Sequence, residues 1–202
     1  MKILLSILFI LFLQFGFAQT DSNYIRINFL YGSKPAKGFK AIEHKRFGGI
    51  KGGHVNIQVD GKCLDFGPNG NCHVFPTKKN PCGNFRISES LRWDSIKERS
   101  AYIVVPVTKK QKDSLEKIFA NYTAKAPIDY AVFGFRCASA TYRVLSYIGI
   151  THKMSRLANI VSHFYPKLLR KKLYRWAKEN NYFVKKNKGS NSRVWESDMG
   201  LL

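Results

Sequence analysis

The sequence predicts an α+β fold in which strands of an antiparallel sheet come first and helices follow. Short runs rich in β-forming residues occupy much of the chain before residue 108, and two of them flank a two-residue turn. Beyond residue 108, apolar side chains recur at helical spacing. Removing the 18 residues of a predicted signal from 202 leaves 184, which fits one domain with a hydrophobic core, and we place the core unit at residues 24–150.

The first 18 residues have the pattern of a cleavable secretory signal. A short positive region precedes an apolar run from Ile3 to Phe15, and Gly16 and Ala18 supply the small residues that a signal peptidase requires. The apolar run is shorter than the roughly 20 residues of a membrane span. An uncleaved anchor is the alternative. We expect a secreted or periplasmic protein that begins at Gln19, works in a bacterial envelope and has no transmembrane segment after cleavage.

The strands are predicted from alternation. The run from Tyr24 to Gly32 alternates and is rich in β-formers. Further on, two alternating runs flank Asp60-Gly61, a dipeptide that favours a type I′ hairpin turn, and pairing Val59 with Lys62 sets the register. Because side chains alternate between faces, the hairpin has one polar and one apolar face. The polar face holds His54, Asn56, Gln58, Cys63 and Asp65, and the apolar face holds Val55, Ile57, Val59, Leu64 and Phe66.

A buried strand at residues 101–107 leads into the first predicted helix. Thr108 and Gln111 form a capping-box pattern at its start, and Pro127 ends the element. The second helix opens at Cys137 and stops at Gly149. The inward positions are Leu115, Ile118, Phe119 and Tyr122 in the first helix, and Ala138, Thr141, Leu145 and Ile148 in the second.

Residues 151–202 are predicted to be a basic helical extension with an irregular tail. Pro166 suits the first turn of a helix whose apolar stripe is Leu169, Leu173, Trp176 and Ala177. The stripe is expected to pack on the domain, and the basic surround is a candidate surface for anionic lipid or wall polymer. Its residues are Lys167, Arg170, Lys171, Lys172, Arg175 and Lys178.

The charge of the chain favours anionic partners. The formal net charge is +21, and from Lys153 onward 12 Lys or Arg stand against three acidic residues. Phosphate-bearing lipid, polysaccharide and wall polymer are compatible with this balance, as is a basic surface that only confers solubility. No nucleic-acid-binding motif is present, so nucleic acid is not an expected partner.

Four cysteines are too few to scaffold a chain of this length. Cys72 and Cys82 bracket a loop rich in Gly, Pro and Asn, and we expect them to form a disulfide in an oxidising compartment. A metal site built from Cys63, Cys72, His73 and His54 is an alternative use. This set lacks the paired short spacings of a zinc motif, so neither a metal nor a cofactor is expected.

Cys137 is the candidate nucleophile. The start of a helix lowers the pKa of a thiol and offers N–H donors to a developing oxyanion. The neighbouring Arg136 would lower the pKa of the thiol further or hold an anionic group of the substrate. An imidazole such as His54 can take the proton, and a carboxylate such as Asp65 can orient the imidazole. Each residue also has an ordinary structural interpretation. Cys137 could be a buried thiol or the disulfide partner of Cys63, His54 a histidine at a strand end, and Asp65 an aspartate that flanks a turn.

A known family shares this arrangement. A His that begins a strand after Gly-Gly, a hairpin that brings a polar residue beside it, and a Cys opening a helix in YAVFGFRCASATYRVL resemble the circularly permuted NlpC-type members of the papain-like fold, which include lecithin–retinol-acyltransferase-like proteins. The resemblance covers residues 24–150 and implies a papain-like sheet with Cys137 as nucleophile, His54 as general base and Asp65 as the orienting residue.

The function expected from these residues is a thiol hydrolase or acyltransferase that acts on an amide or ester bond of an envelope peptide, wall peptide or lipid. Arg136, Tyr130 and Asn56 are the candidate substrate contacts. The competing expectation is a non-catalytic basic module that binds an anionic polymer or a membrane surface.

Overall fold

The computed structural model describes residues 23–31, 53–70, 72–89 and 99–189. In chain order the elements are β1 (Tyr24–Tyr31), β2 (Gly53–Val59), β3 (Lys62–Pro68), β4 (Gly83–Glu89), β5 (Ser100–Pro106), α1 (Lys109–Ala124), α2 (Cys137–Tyr147), α3 (Arg156–Ser162), α4 (Pro166–Glu179) and β6 (Val184–Asn187). The predicted signal at residues 1–18 lies outside the described residues. Within the described ranges no helix has the length and apolar character needed to cross a membrane.

One six-stranded sheet organises these elements, in the order β4-β3-β2-β1-β5-β6, and every neighbouring pair is antiparallel. β1 lies near the centre, with Ile27 opposite both Ile57 of β2 and Ile103 of β5. The α+β class with an antiparallel sheet is therefore confirmed.

The β2–β3 hairpin forms in the predicted register. Val59 pairs with Lys62 and Gln58 with Cys63. Asp60 and Gly61 have φ values of 44° and 74°, which is the left-handed conformation that a type I′ turn requires at both central positions. A register shifted by one residue would move every side chain of a strand to the other face, so this turn fixes which residues reach the core.

The apolar face of the sheet carries the hydrophobic core. Ile25, Ile27 and Phe29 of β1 are fully buried there, beside the apolar set of the hairpin. Helices cover this face: Phe85 of β4 packs against Tyr122 of α1, and Phe29 packs against Tyr174 of α4. Helix α2 lies in the same core through buried residues along its length, which include Ala138, Thr141, Leu145 and, at its end, Ile148.

The helix starts follow from local chemistry. Thr108 and Gln111 form the expected capping box at α1, and Pro166 is the first residue of α4. The stop at Gly149 also holds, since this residue has φ +75°, a conformation that non-glycine residues rarely adopt.

The apolar stripe of α4 packs on the domain as expected, since Leu169, Leu173 and Ala177 are buried in the common core. The chain after α4 differs from the prediction, because β6 pairs with β5 as an edge strand of the sheet. Residues 156–187 therefore belong to the same folded unit as the described residues between 24 and 150. The predicted irregular tail comprises residues 185–202, and its first three residues are in fact part of strand β6, whose four residues are too few to show a clear alternation.

Candidate functional site

Cys137 is the first residue of α2, and the segment before it stops the helix from starting earlier. Arg136 is in an extended conformation, with φ −129° and ψ 176°, and its N–H donates to the hydroxyl of Ser139 at 2.9 Å. This bond supplies the N-terminal cap from the third helical position, in place of a Ser, Thr or Asp at the cap itself. The Cys137 side chain is buried, with 6% of its surface exposed.

His54 and Asp65 meet across the hairpin. Nε2 of His54 lies 2.7 Å from Oδ1 of Asp65, and both side chains are partly exposed, at 26% and 22%. The two residues belong to facing strands and share the polar face, as the register predicted. Because Nε2 is engaged by the carboxylate, Nδ1 is the ring nitrogen that would exchange a proton with a thiol.

A chain of amides holds Asp65 from behind. Nδ2 of Asn56 donates to Oδ1 of Asp65 at 2.9 Å, and Nδ2 of Asn28 on β1 donates to Oδ1 of Asn56 at 2.9 Å. The hydroxyl of Ser88 on β4 donates to Oδ2 of Asp65 at 2.9 Å. Four neighbouring strands therefore fix one carboxylate. Neither Asn28 nor Ser88 was predicted, since their contacts depend on which strands are adjacent.

The thiol of Cys137 interacts directly with His54. Burial alone would raise the pKa of Cys137, but a hydrogen bond from His54, the charges of His54 and Arg136, and the N–H of Val55 outweigh burial and lower it. Burial likewise disfavours the charged form of His54, yet hydrogen bonds with Asp65 and Cys137 raise its pKa to about 10. These opposite shifts favour a thiolate–imidazolium pair at neutral pH.

The pKa of Asp65 is lowered, so this carboxyl remains ionised beside the pair. Burial opposes the shift, but the hydrogen bond and charge of His54 and the donors Asn56 and Ser88 outweigh it. An ionised acceptor on Nε2 supports the positive imidazole, which in turn supports the thiolate. The structure thus brings together the three predicted residues Cys137, His54 and Asp65.

The predicted substrate contacts divide into two groups. Tyr130 and Arg136 lie at the thiol: burial and the neighbouring Cys137 raise the pKa of Tyr130, whose side chain hydrogen-bonds with Arg136. The Arg136 guanidinium also stacks over Phe164 at 4.6 Å. Asn56, by contrast, is fully buried and bonded to Asp65, so it serves to position the carboxylate rather than to touch substrate.

The predicted anion-binding surface on α4 needs correction. Arg170 is 6% exposed, and its guanidinium packs over the ring of Tyr31 at 3.6 Å. Lys172 is half-buried, and its Nζ lies 3.5 Å from the hydroxyl of Tyr142. Both point inward because they fall on or beside the buried stripe of the helix. Lys171, Arg175 and Lys178 are exposed, and Lys167 is partly exposed.

The predicted Cys72–Cys82 disulfide is not formed, and all four cysteines are free thiols. Sγ of Cys82 donates to the carbonyl of Tyr130 at 3.0 Å, whereas Sγ of the exposed Cys72 donates to the carbonyl of His73 at 3.4 Å. Each sulfur is thus directed at a backbone carbonyl. Cys63, the alternative partner of Cys137, is instead contacted by Nδ2 of Asn28 at 3.8 Å.

Asp129 forms a second polar cluster near the site. Its Oδ2 accepts from Nδ1 of His73 at 2.8 Å and from the N–H of Thr77 at 2.9 Å, and its Oδ1 accepts from the N–H of Cys82 at 2.7 Å. Burial opposes ionisation of this carboxyl, but these donors lower its pKa to about 2. Together they hold the loop of residues 72–83 to the body of the domain.

Metal binding is the other chemistry that this cluster suggests. Ligand atoms of His73, Cys82 and Asp129 lie within 4.8 Å of one another. Both Asp129 oxygens already accept N–H donors, and one ring nitrogen of His73 is used in the same network. A cation would have to displace those bonds, so the cluster is better explained as an anchor of the loop.

Comparisons of the chain with protein-family models, with curated proteins and with solved structures found no match.

Proposed function

We propose that this protein is a secreted thiol hydrolase or acyltransferase that cleaves an amide or ester bond of an envelope substrate through Cys137, His54 and Asp65. The observation that supports it is the joint arrangement of the three residues. Asp65 bonds to one nitrogen of the His54 ring at 2.7 Å, the ring interacts with the Cys137 thiol, and the pKa shifts of Cys137 and His54 run in opposite directions. A buried structural cysteine needs none of these features.

The reaction follows from the positions of these groups. The Cys137 thiolate attacks the substrate carbonyl carbon, and the carbonyl oxygen becomes an oxyanion near the first-turn N–H groups of α2. The imidazolium of His54 gives its proton to the leaving nitrogen or oxygen as the carbonyl bond to that atom breaks. An acyl-thioester on Cys137 results. Neutral His54 then takes a proton from water, for hydrolysis, or from an acceptor alcohol or amine, for transfer, as that oxygen or nitrogen attacks the thioester carbon. The C–S bond breaks, the acyl product leaves, and the Cys137 thiolate and His54 imidazolium are restored.

The family resemblance supports the same proposal. The His-bearing strand precedes the Cys-bearing helix in the chain, as in the circularly permuted NlpC-type proteins, and the helix packs on an antiparallel sheet. We propose a permuted papain-like arrangement on this basis. A signal peptide at residues 1–18 would place this activity in the envelope, where a peptide, wall peptide or lipid is the proposed substrate. Arg136 and Tyr130 would then contact the substrate, because both side chains lie at the thiol.

The decisive experiment measures the ionisation of Cys137. Exposed Cys72 would contribute its own signal, so Cys72→Ser is the reference protein. The ultraviolet absorbance of thiolate is titrated in this protein and in the same protein carrying Cys137→Ala. We expect the difference to show a midpoint well below the ordinary thiol pKa of about 8.5. A midpoint at or above that value would refute the thiolate–imidazolium pair.

Activity is tested in parallel on acyl thioesters, esters and amides with a fluorescent leaving group. Cys137→Ala should abolish turnover and leave the circular dichroism spectrum unchanged. Cys63→Ala, the matched control on a second buried thiol, should keep turnover. Turnover by the Cys137→Ala protein would be fatal to the mechanism.

One observation favours the competing function, a non-catalytic module that binds an anionic surface. Residues 130–178 contain ten Lys or Arg and no Asp or Glu. Lys171, Arg175 and Lys178 of this segment remain exposed on α4. If that function is correct, binding to anionic polymer should fall steeply between about 0.1 M and 1 M salt, while the thiol titrates at an ordinary pKa.

A further inference from the structure

Two loops expose a group of apolar side chains that the proposed chemistry does not use. Phe75 is 69% exposed, and Val74 and Phe133 are each 57% exposed. Val132 is 38% exposed and completes what we call the apolar tip, the four residues Val74, Phe75, Val132 and Phe133. The two phenyl rings stack on each other with centroids 5.3 Å apart. Adjoining exposed apolar side chains mark interaction surfaces more often than isolated ones do.

The apolar tip is held rigidly. The N–H of Val132 donates to the carbonyl of His73 at 2.8 Å, and the N–H of Phe133 donates to the carbonyl of Val74 at 2.9 Å. The loops also approach each other at Gly134, where a Cβ would lie 3.4 Å from Cβ of Pro76. The exposed rings are therefore presented in a fixed arrangement, so docking would cost little conformational entropy.

The loop of residues 130–135, which carries Val132 and Phe133, begins and ends beside the candidate nucleophile. Tyr130 and Phe135 form a bridge that closes the loop, and the N–H of Ala131 donates to the carbonyl of Phe135 at 3.2 Å. Tyr130 also interacts with Arg136 and Cys137. Whatever docks on the apolar tip is therefore held close to the thiol.

The charge beside the apolar tip indicates what docks there. Lys78 and Lys79 follow Phe75 in the same loop and are exposed, and within the described ranges neither forms an ion pair. The whole chain carries a formal charge of +21, so a second copy of the chain would be repelled. Aromatic side chains beside lysines suit the interface of a bilayer with anionic headgroups, where rings insert and ammonium groups meet phosphate.

We propose that the apolar tip inserts into the interface of an anionic lipid bilayer, with Lys78 and Lys79 on the lipid phosphates, and that this orients the Cys137 site towards molecules at the membrane surface. Docking itself does not require catalysis; only the statement about the Cys137 site rests on the proposed function. Membrane contact is thereby assigned to the loops beside the site rather than to α4.

The test is co-sedimentation with vesicles of phosphatidylcholine containing phosphatidylglycerol. The protein starts at Gln19, which removes the apolar N-terminal run and keeps every described residue. Phe75→Ser with Phe133→Ser should weaken binding at least tenfold, equivalent to about 1.4 kcal/mol. The matched control changes two exposed apolar residues of α3, Leu157→Ser with Val161→Ser, which are 71% and 63% exposed. The control should bind like the parent.

Three further arms complete the test. A tryptophan at Phe75 should shift its emission to shorter wavelength with vesicles, whereas one at Leu157 should not. Lys78→Gln with Lys79→Gln should weaken binding to the anionic vesicles and leave the weaker binding to pure phosphatidylcholine unchanged. Thermal unfolding of each variant verifies the fold. The proposal is overturned if the apolar-tip variant binds like the parent, if the α3 control loses as much affinity, or if the parent ignores vesicles.

The experiment separates docking from catalysis. Cys137→Ala should bind vesicles like the parent. An inactive parent that binds through the apolar tip would reject the thiol hydrolase and retain the docking surface. An active parent whose apolar-tip variant binds unchanged would reject the docking surface alone.

Discussion

Asp129 gives the sharpest quantitative test of the structure, because its buried carboxylate holds the loop of residues 72–83. Its side chain is 3% exposed, and its pKa is lowered from 3.8 to about 2. One pKa unit corresponds to about 1.4 kcal/mol, so ionisation of Asp129 contributes about 2 to 3 kcal/mol to the free energy of unfolding at neutral pH. Because the folded pKa is the lower one, this contribution is complete above the unfolded pKa and is lost as the pH falls through the folded pKa.

The substitution Asp129→Asn tests this contribution. The amide keeps the shape but has no charge, and its NH₂ group would face a backbone N–H of Thr77 or Cys82 that now donates to a carboxylate oxygen. We expect the variant to be less stable than the parent at pH 7. The gap should shrink by about 2 to 3 kcal/mol between about pH 5 and pH 2, because only the parent loses the ionised Asp129.

Urea unfolding at pH 7, 5, 3 and 2, followed by circular dichroism, measures this gap. Asp113→Asn is the matched control: this carboxylate is 46% exposed, and among the described residues its ion-pair partner is Lys109 on the surface of α1. Its effect should stay within about 0.5 kcal/mol at every pH. If the gap for Asp129→Asn is the same at pH 7 and pH 2, the charge of Asp129 contributes nothing to the free energy of unfolding, and the role assigned to it is wrong.

Two further predictions concern the site and its support. Asp65→Asn removes the charge that supports the His54 imidazolium, so the thiolate midpoint of Cys137 should rise towards its ordinary pKa, and alkylation of Cys137 by iodoacetamide at pH 6 should slow about tenfold or more. The control Asp60→Asn, in the turn of the same hairpin, should leave the midpoint and the alkylation rate unchanged. Equal effects of the two substitutions would contradict the role assigned to Asp65. Gly83→Ala should lower the free energy of unfolding, measured in urea, by about 1 to 3 kcal/mol or more, because the new Cβ would lie 2.9 Å from the backbone nitrogen of Tyr130. At Gly67 a Cβ would have no atom within 4 Å, so the control Gly67→Ala should change the free energy of unfolding little. An unchanged free energy of unfolding for Gly83→Ala would show that this close approach is absent.

The sequence predicts those parts of the fold that depend on neighbouring residues. Asp60-Gly61 specifies the turn, the turn fixes the register, and the register puts His54 and Asp65 on one face. The capping box of α1 is equally local. For the same reason the polar and apolar faces of the hairpin could be assigned before any strand order was known.

Contacts between distant strands could not be derived this way. Asn28 reaches Asn56 only because β1 pairs with β2, and Ser88 reaches Asp65 only because β4 pairs with β3. The disulfide prediction failed for a related reason: Cys72 and Cys82 bracket one loop, but the fold turns the sulfur of Cys82 towards the carbonyl of Tyr130.

The inward position of Arg170 did have a signal in the sequence. Arg170 stands four residues after Pro166 and three before Leu173, which is the spacing of the buried stripe of α4. A count of the total charge does not show which basic side chains are buried. Helical period decides which bases of a basic helix remain available to a partner, and here it removes Arg170 from the predicted surface.

The buried amides on the polar face strengthen the case that the site is functional. Asn28, Asn56 and Gln58 are 3%, 0% and 8% exposed, at positions where Val or Ile would stabilise a buried sheet face without any need for partners. Their polar groups instead form a connected row, since Nδ2 of Asn28 donates to both Asn56 and Gln58, and Asn56 donates to Asp65. A satisfied buried network fixes geometry at little gain in stability. The row ends at the Asp65 carboxylate, which bonds to His54, so under the proposed function the row would hold the imidazole of His54 against the thiol of Cys137.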